Sequence, residues 1–150
     1  MQSTGATVRF NAGRAFYSLT EDYIGMPERG LFETSASYYA ALIHELTHWS
    51  GHQSRLDRLS RTSRYGSESY AFEELVAELG ASFFCSEFEM TSDLPNHASY
   101  LEGWLRVLND DHKAIFRAAA EASKAASYIK AMQPSPLSIA LPAASVEATP

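Results

Sequence analysis

Apolar residues recur at helical spacing over three long stretches of the chain and fall in short β-prone runs only near its start. Val8-Arg9-Phe10 is the first such run. Ala15–Ser18 and Tyr23–Met26 flank a polar turn, Leu19–Asp22, and predict a hairpin. Pro27 ends the second hairpin strand or marks it as an edge. Ser35 is placed to cap a helix running to about Ser50, with Tyr39, Leu42, Ile43, Leu46 and Trp49 on one face and Gly51 as a natural stop. A polar loop over 52–66 carries Arg55, Arg58, Arg61 and Arg64.

A second helix, Ser69 to Glu87, shows an apolar face of Phe72, Leu75, Val76, Leu79 and Phe83. Its other face holds Glu74, Ala77, Glu78, Ala81 and Cys85, whose small members admit a neighbouring helix. Glu74 and Glu78 are then expected inside, where buried carboxylates need a cation or several donors. Glu73 falls off that face and is expected in solvent. Pro95-Asn96 opens a third helix with Tyr100, Leu101, Trp104, Leu105 and Leu108. A fourth, over about 111–132, turns Ile115, Phe116, Ala119, Ala122, Ala126 and Ile129 inward. The fold class is α+β: a small strand region, then about four helices, over residues 1–133. Four of the six prolines lie in residues 134–150, which lack Lys and Arg and read as a disordered tail.

The remaining arithmetic narrows the class. One domain suits 150 residues. A single cysteine, Cys85, excludes an internal disulfide and suits a buried small apolar role. A net charge of −6 argues against a polyanion-binding surface over the whole domain. No apolar run approaches the roughly 20 residues of a membrane span, and residues 1–5 lack signal-peptide character. A cytoplasmic monomer with no membrane partner is expected.

His44-Glu45-Leu46-Thr47-His48 is an H-E-x-x-H on the first predicted helix. Spacing of i, i+4 puts both imidazoles on one face, one turn apart, where they can share a Zn²⁺. Glu45 is then close enough to accept a proton from an attacking water. Catalytic zinc takes three protein ligands, so a third is needed. His52 continues the series of four, but Gly51 should turn it away. The longer signature with a third histidine requires His where Ser54 stands. Glu74 and Glu78 remain, one binding the metal and the other accepting the second N–H of a ligand histidine. Glu74 is favoured as the ligand, with Glu78 in the orienting role.

The stretches 37–49, 70–81 and 97–105, which contain this motif, Glu74 and Glu78, and His97, closely resemble the zincin-like metallopeptidase domain of ArdC-type antirestriction proteins. The likeness spans about residues 14–131. It implies a small zincin fold carried on bacterial mobile elements, with metal ligation by His44, His48 and Glu74. It also implies an N-terminal domain that binds single-stranded DNA. The chain is expected to be either a fragment lacking that domain or a stand-alone peptidase-like domain, with single-stranded DNA a partner only through an absent N-terminal domain. A more distant resemblance is to regulatory peptidases that cleave phage-type repressors; their downstream helix also aligns its Glu with Glu74. The activity implied is zinc-dependent hydrolysis of a peptide or protein. The alternative is an antirestriction or DNA-associated module in which the metal is structural and peptidase activity vestigial.

Other residues carry weaker signals. His97 is a candidate to steady the tetrahedral oxyanion. Arg55 and Arg58 are candidates for an anion or substrate contact. Tyr38 and Tyr39 suit the core, and His112 has no evident partner. The strand Asp22–Met26 is placed to pair with an extended peptide.

Overall fold

The hairpin forms as its sequence predicts, and a third strand joins it from an unexpected direction. In the computed structural model, which describes residues 4–59, 67–90, 104–105, 108–109 and 111–132, the strands are β1 (Thr7–Arg9), β2 (Phe16–Ser18) and β3 (Tyr23–Gly25). β2 pairs antiparallel with β3, Tyr17 opposite Ile24. β1 pairs with the other side of β3, in parallel, Val8 opposite Ile24. The order is therefore β1-β3-β2. This corrects two readings of the Tyr23–Met26 strand. It is central, so Pro27 ends it without marking an edge, and it cannot accept a further strand. The free edge beside the helices belongs to β2.

Helix α1 spans Ser35–Ser50. Its cap is Thr34, one residue earlier than expected. The Thr34 hydroxyl accepts from the Ser37 amide at 3.0 Å, and the Ser37 hydroxyl accepts from the Thr34 amide at 3.1 Å. The helix stops at Gly51, but not by a left-handed turn: φ there is −80°. The following loop folds back on it, with the Arg58 and Leu59 amides donating to the Gly51 carbonyl at 2.9 and 2.8 Å. A Cβ at position 51 would stand 2.8 Å from the Arg58 guanidinium. The glycine is needed there for room.

Helix α2 spans Glu68–Glu87 and is covered on two sides, as its sequence implies. Against α1 it offers Gly80, where an added Cβ would lie 2.7 Å from Thr47 Oγ1 and 2.8 Å from its methyl carbon. On another side Leu75 and Val76 pack on Ala118 and Ala122 of α3 (Ala114–Ala131). The buried stripe of α3 is mostly alanine: Ala114, Ala118, Ala122, Ala125 and Ala126, with Ile129. Phe116, expected inward, is 74% exposed. The small residues set the register because they allow α2 to approach closely. Ile24 and Met26 from the strands, Tyr38, Leu42, Leu46 and Trp49 from α1, Phe84 from α2 and Ile129 form the main core. Burying each larger member is worth about 1.5–3 kcal/mol.

Trp104, Leu105, Leu108 and Asn109 are helical, and Trp104 and Leu108 pack against the second cluster. The rest of the expected third helix, with His97 and Tyr100, lies outside the described residues, as do Arg61, Arg64 and the tail. His112 Nδ1 meets the Leu108 carbonyl at 2.9 Å. Among the described residues no helix is long and apolar enough to cross a membrane.

Arg55 ties the hairpin to the loop after α1. It donates to both Asp22 oxygens and to the Tyr17 hydroxyl at 3.1 Å, and lies 4.0 Å from the centre of the Trp49 ring. Its hydrogen bonds hold the Asp22 carboxyl below its ordinary value, with burial opposing. Burial and Asp22 push the Tyr17 hydroxyl up.

Two outcomes follow from this packing. Thr47 is β-branched, fully buried and hydrogen-bonded to the Ile43 carbonyl at 2.9 Å, so it cannot yield to a new methyl. Gly80→Ala should therefore lower the urea midpoint. Overpacking costs about 1–3 kcal/mol and outweighs the roughly 1 kcal/mol alanine gains over glycine in a helix. A raised midpoint would show that the helices separate freely at this point. Asp22 stabilises above its unfolded value of 3.8, and that contribution is lost as pH falls through its lower folded value. Asp22→Asn should thus melt earlier than wild type at pH 7, with the gap closing below about pH 4. A gap unchanged down to pH 2 would remove the ion pair from the account.

Candidate metal centre

The close contact at Gly80 lays the glutamates of α2 against the histidines of α1. His44 and His48 stand one turn apart, with their Nε2 atoms 3.2 Å from each other. Glu74 reaches over both: Oε2 is 3.5 Å from His44 Nε2 and Oε1 is 3.6 Å from His48 Nε2. These three residues form the one cluster among the described residues able to offer a metal three donors, all within 4.8 Å of one another. A tetrahedral ion with bonds of about 2.0–2.1 Å holds its donors roughly 3.3–3.4 Å apart. The two Nε2 atoms stand near that spacing, and each lies 3.5–3.6 Å from a different oxygen of the Glu74 carboxylate. Two nitrogens and a carboxylate oxygen also suit zinc chemically. The donor set therefore fits the ion.

The ring nitrogens facing away from this cluster have carboxylate neighbours. His44 Nδ1 lies 3.4 Å from Glu78 Oε1. His48 Nδ1 lies 3.1 Å from Glu73 Oε1. Glu73, expected in solvent, is 7% exposed. The expectation placed one face of α2 against α1. But two imidazoles a turn apart present their second nitrogens in different directions, so neighbouring residues of α2 serve them. The Glu73-Glu74 doublet was the available signal: two adjacent carboxylates on a helix covered on both sides.

Burial alone would depress the His48 imidazolium, but the hydrogen bond and charge of Glu73, with Glu74 and Glu45, raise it to about 9. Glu73 and Glu74 are held below the ordinary carboxyl range despite burial, by His48 and Arg58 for Glu73 and chiefly by His44 and His48 for Glu74. A cation entering the centre displaces protons from the imidazoles.

Glu45 differs from its neighbours. Burial raises its carboxyl above the ordinary range, against the pull of His48 and His44. The backbone N–H of Tyr17, in β2, lies beside it and lowers it slightly. The edge strand thus meets the motif helix at this glutamate.

Three other candidates sit elsewhere, His52 as anticipated. His52 turns away beyond Gly51 and pairs with Ser54 at 2.8 Å. The side chains of Arg55 and Arg58 are 8% and 7% exposed. Arg55 is engaged with Asp22, Tyr17 and the Trp49 carbonyl. Arg58 is engaged with Glu73 and the Thr47 carbonyl. Neither forms the surface anion contact expected of it, because their charges are used inside the fold.

An α+β domain with an H-E-x-x-H helix facing a carboxylate on the next helix defines a zincin-like arrangement. Comparison with known proteins agrees: the profile of the zincin-like metallopeptidase family matches residues 1–121, and the chain belongs to that family. Within it, the chain is similar to the antirestriction protein ArdC of plasmid R388. The Mn(II)-bound crystal structure of ArdC superimposes with a TM-score of 0.79 at 48% identity, over 87% of this chain and 49% of ArdC. The metal-free structure gives 0.77 at 47%. Among curated proteins, a DNA primase TraC of Escherichia coli is 44% identical over 89% of this chain but only 9% of its own length. The protein y4eC of Sinorhizobium fredii is 38% identical over 87% of this chain and 43% of its own. The chain thus spans less than half of each.

The geometry ranks the candidates for the third ligand. In zinc titrations against a competing chelator, Glu74→Ala should lose most of the affinity, as should His44→Ala or His48→Ala. Glu78→Ala should lose about 10–100-fold, the usual cost of removing a partner of a ligand histidine. His52→Ala should match wild type. A larger loss for Glu78→Ala than for Glu74→Ala would exchange the two roles.

Proposed function

We propose that this domain is a zinc-dependent peptidase in which His44, His48 and Glu74 hold the metal and Glu45 is the general base. One observation carries the reading. Two imidazole nitrogens 3.2 Å apart and the Glu74 carboxylate lie within 4.8 Å of one another, and the glutamate beside them has a carboxyl shifted upward by burial. The chemistry a bound zinc supplies is Lewis-acid polarisation of the scissile carbonyl and activation of water. Glu45 accepts the proton of the attacking water and returns it to the leaving amine as the C–N bond breaks. An upward-shifted carboxyl suits both transfers. β2 has a free edge at Tyr17, so an extended peptide laid along it passes Glu45. His97, outside the described residues, is the sequence's candidate to steady the tetrahedral oxyanion.

A second reading has its own support. ArdC is an antirestriction protein, this chain spans about half of it, and Glu45 is only 7% exposed. On that reading the metal stabilises a module acting on a restriction protein or beside single-stranded DNA, and peptide hydrolysis is vestigial.

Glu45→Gln separates the two. Under the first reading it should keep its zinc and melting temperature and lose about 100–10,000-fold in hydrolysis of casein. The assay uses protein stripped with a chelator and reloaded with zinc or, in parallel, manganese. Equal rates for wild type and Glu45→Gln in both metals would favour the second reading.

A further inference from the structure

We propose that Arg58 is a positioning residue of the metal centre, acting through Glu73 on His48. This rests on the metal-binding reading of His44, His48 and Glu74. The Arg58 guanidinium meets Glu73 side-on: Nε donates to Oε2 at 2.7 Å and Nη2 to Oε1 at 2.9 Å. Oε1 is also the atom that meets His48 Nδ1. Both oxygens of Glu73 are thereby fixed, and a planar fork allows one orientation of the carboxylate. Nη2 donates as well to the Thr47 carbonyl, at 2.7 Å. Thr47 directly precedes His48 in α1. One side chain therefore grips both the backbone that carries His48 and the carboxylate that orients its ring. With Nδ1–H committed to Glu73, Nε2 is left with its lone pair toward His44 and Glu74.

Two observations argue for more than a stabilising ion pair. Arg58 Nη1 is buried with no hydrogen-bond partner among the described residues, a poor arrangement if stability were the purpose. Buried ion pairs are in general weak contributors to stability against apolar replacements. The local backbone, in turn, is built around the guanidinium. The loop after α1 doubles back onto Gly51, and only a residue without a Cβ leaves room for Nη2 there. The result is a chain of contacts running from the Gly51 turn through Arg58 and Glu73 to the ligand histidine.

The test is a double-mutant cycle read as zinc affinity by chelator competition, with Arg58→Lys and Glu73→Gln. Lysine keeps the charge and the fold but cannot form the fork. Each single variant should bind zinc about 10–100-fold more weakly. The double variant should be no weaker than the worse single, because Arg58 has nothing left to orient. In zinc-loaded protein the ¹H NMR signal of His48 Nδ1–H should shift or broaden in Arg58→Lys. Ile129→Val, a core change far from these contacts in sequence and role, should leave affinity and signal as in wild type. Wild-type affinity in Arg58→Lys, an additive loss in the double variant, or an equal loss in Ile129→Val would each overturn the proposal. Wild-type protein that takes up no zinc would overturn the metal-binding reading with it.

Discussion

Four glutamates, Glu45, Glu73, Glu74 and Glu78, converge on two imidazoles between the first two helices, and the rest of the domain is arranged around neutralising them. Carboxylates in an interior must be paired, protonated or bound to metal. Pairing serves two of them: His44 Nδ1 faces Glu78, and Arg58 and His48 pair Glu73. Burial shifts Glu45 toward its protonated form. Glu74 is directed at the space between two Nε2 atoms, where a divalent ion would satisfy all three. Helix packing follows from the same demand, since the glutamates reach the histidines only if α2 lies as close to α1 as Gly80 allows.

The parts of this arrangement differ in how far they could be read from residues alone. H-E-x-x-H on an apolar-faced helix is a local pattern, so His44, Glu45 and His48 are legible directly. Glu74 and Glu78 are legible because two carboxylates share a face with Ala77 and Ala81. Glu73 and Arg58 are not, because their roles depend on the direction in which the second nitrogen of His48 points and on a loop folding back to meet it. Periodicity carries no information about either. The same limit explains Phe116. A period argument turns large apolar residues inward, whereas α3 buries alanines because close helix contact is worth more than side-chain volume at that interface.

The hairpin was equally local and equally legible; the position of β1 was not. Short-range turn chemistry specifies β2 beside β3, but no sequence signal says that β1 runs parallel to β3 on its other side. That placement changes the function of the sheet. It closes off the strand expected to receive a peptide and leaves the edge at β2, the strand whose Tyr17 amide touches Glu45. The relatives, two to ten times longer in their coverage ratios, keep this unit as one segment among others.

The strand order also has a mechanical side. β1 and β2 are consecutive in the chain yet never touch; β3 lies between them. The hairpin can close on its own, and β1 can only be added afterwards, through three residue pairs with β3. Loss of the three β1–β3 pairs would leave the β2–β3 register, Tyr17 opposite Ile24, unchanged. The β2–β3 hairpin and the Tyr17 contact with Glu45 would stay in place.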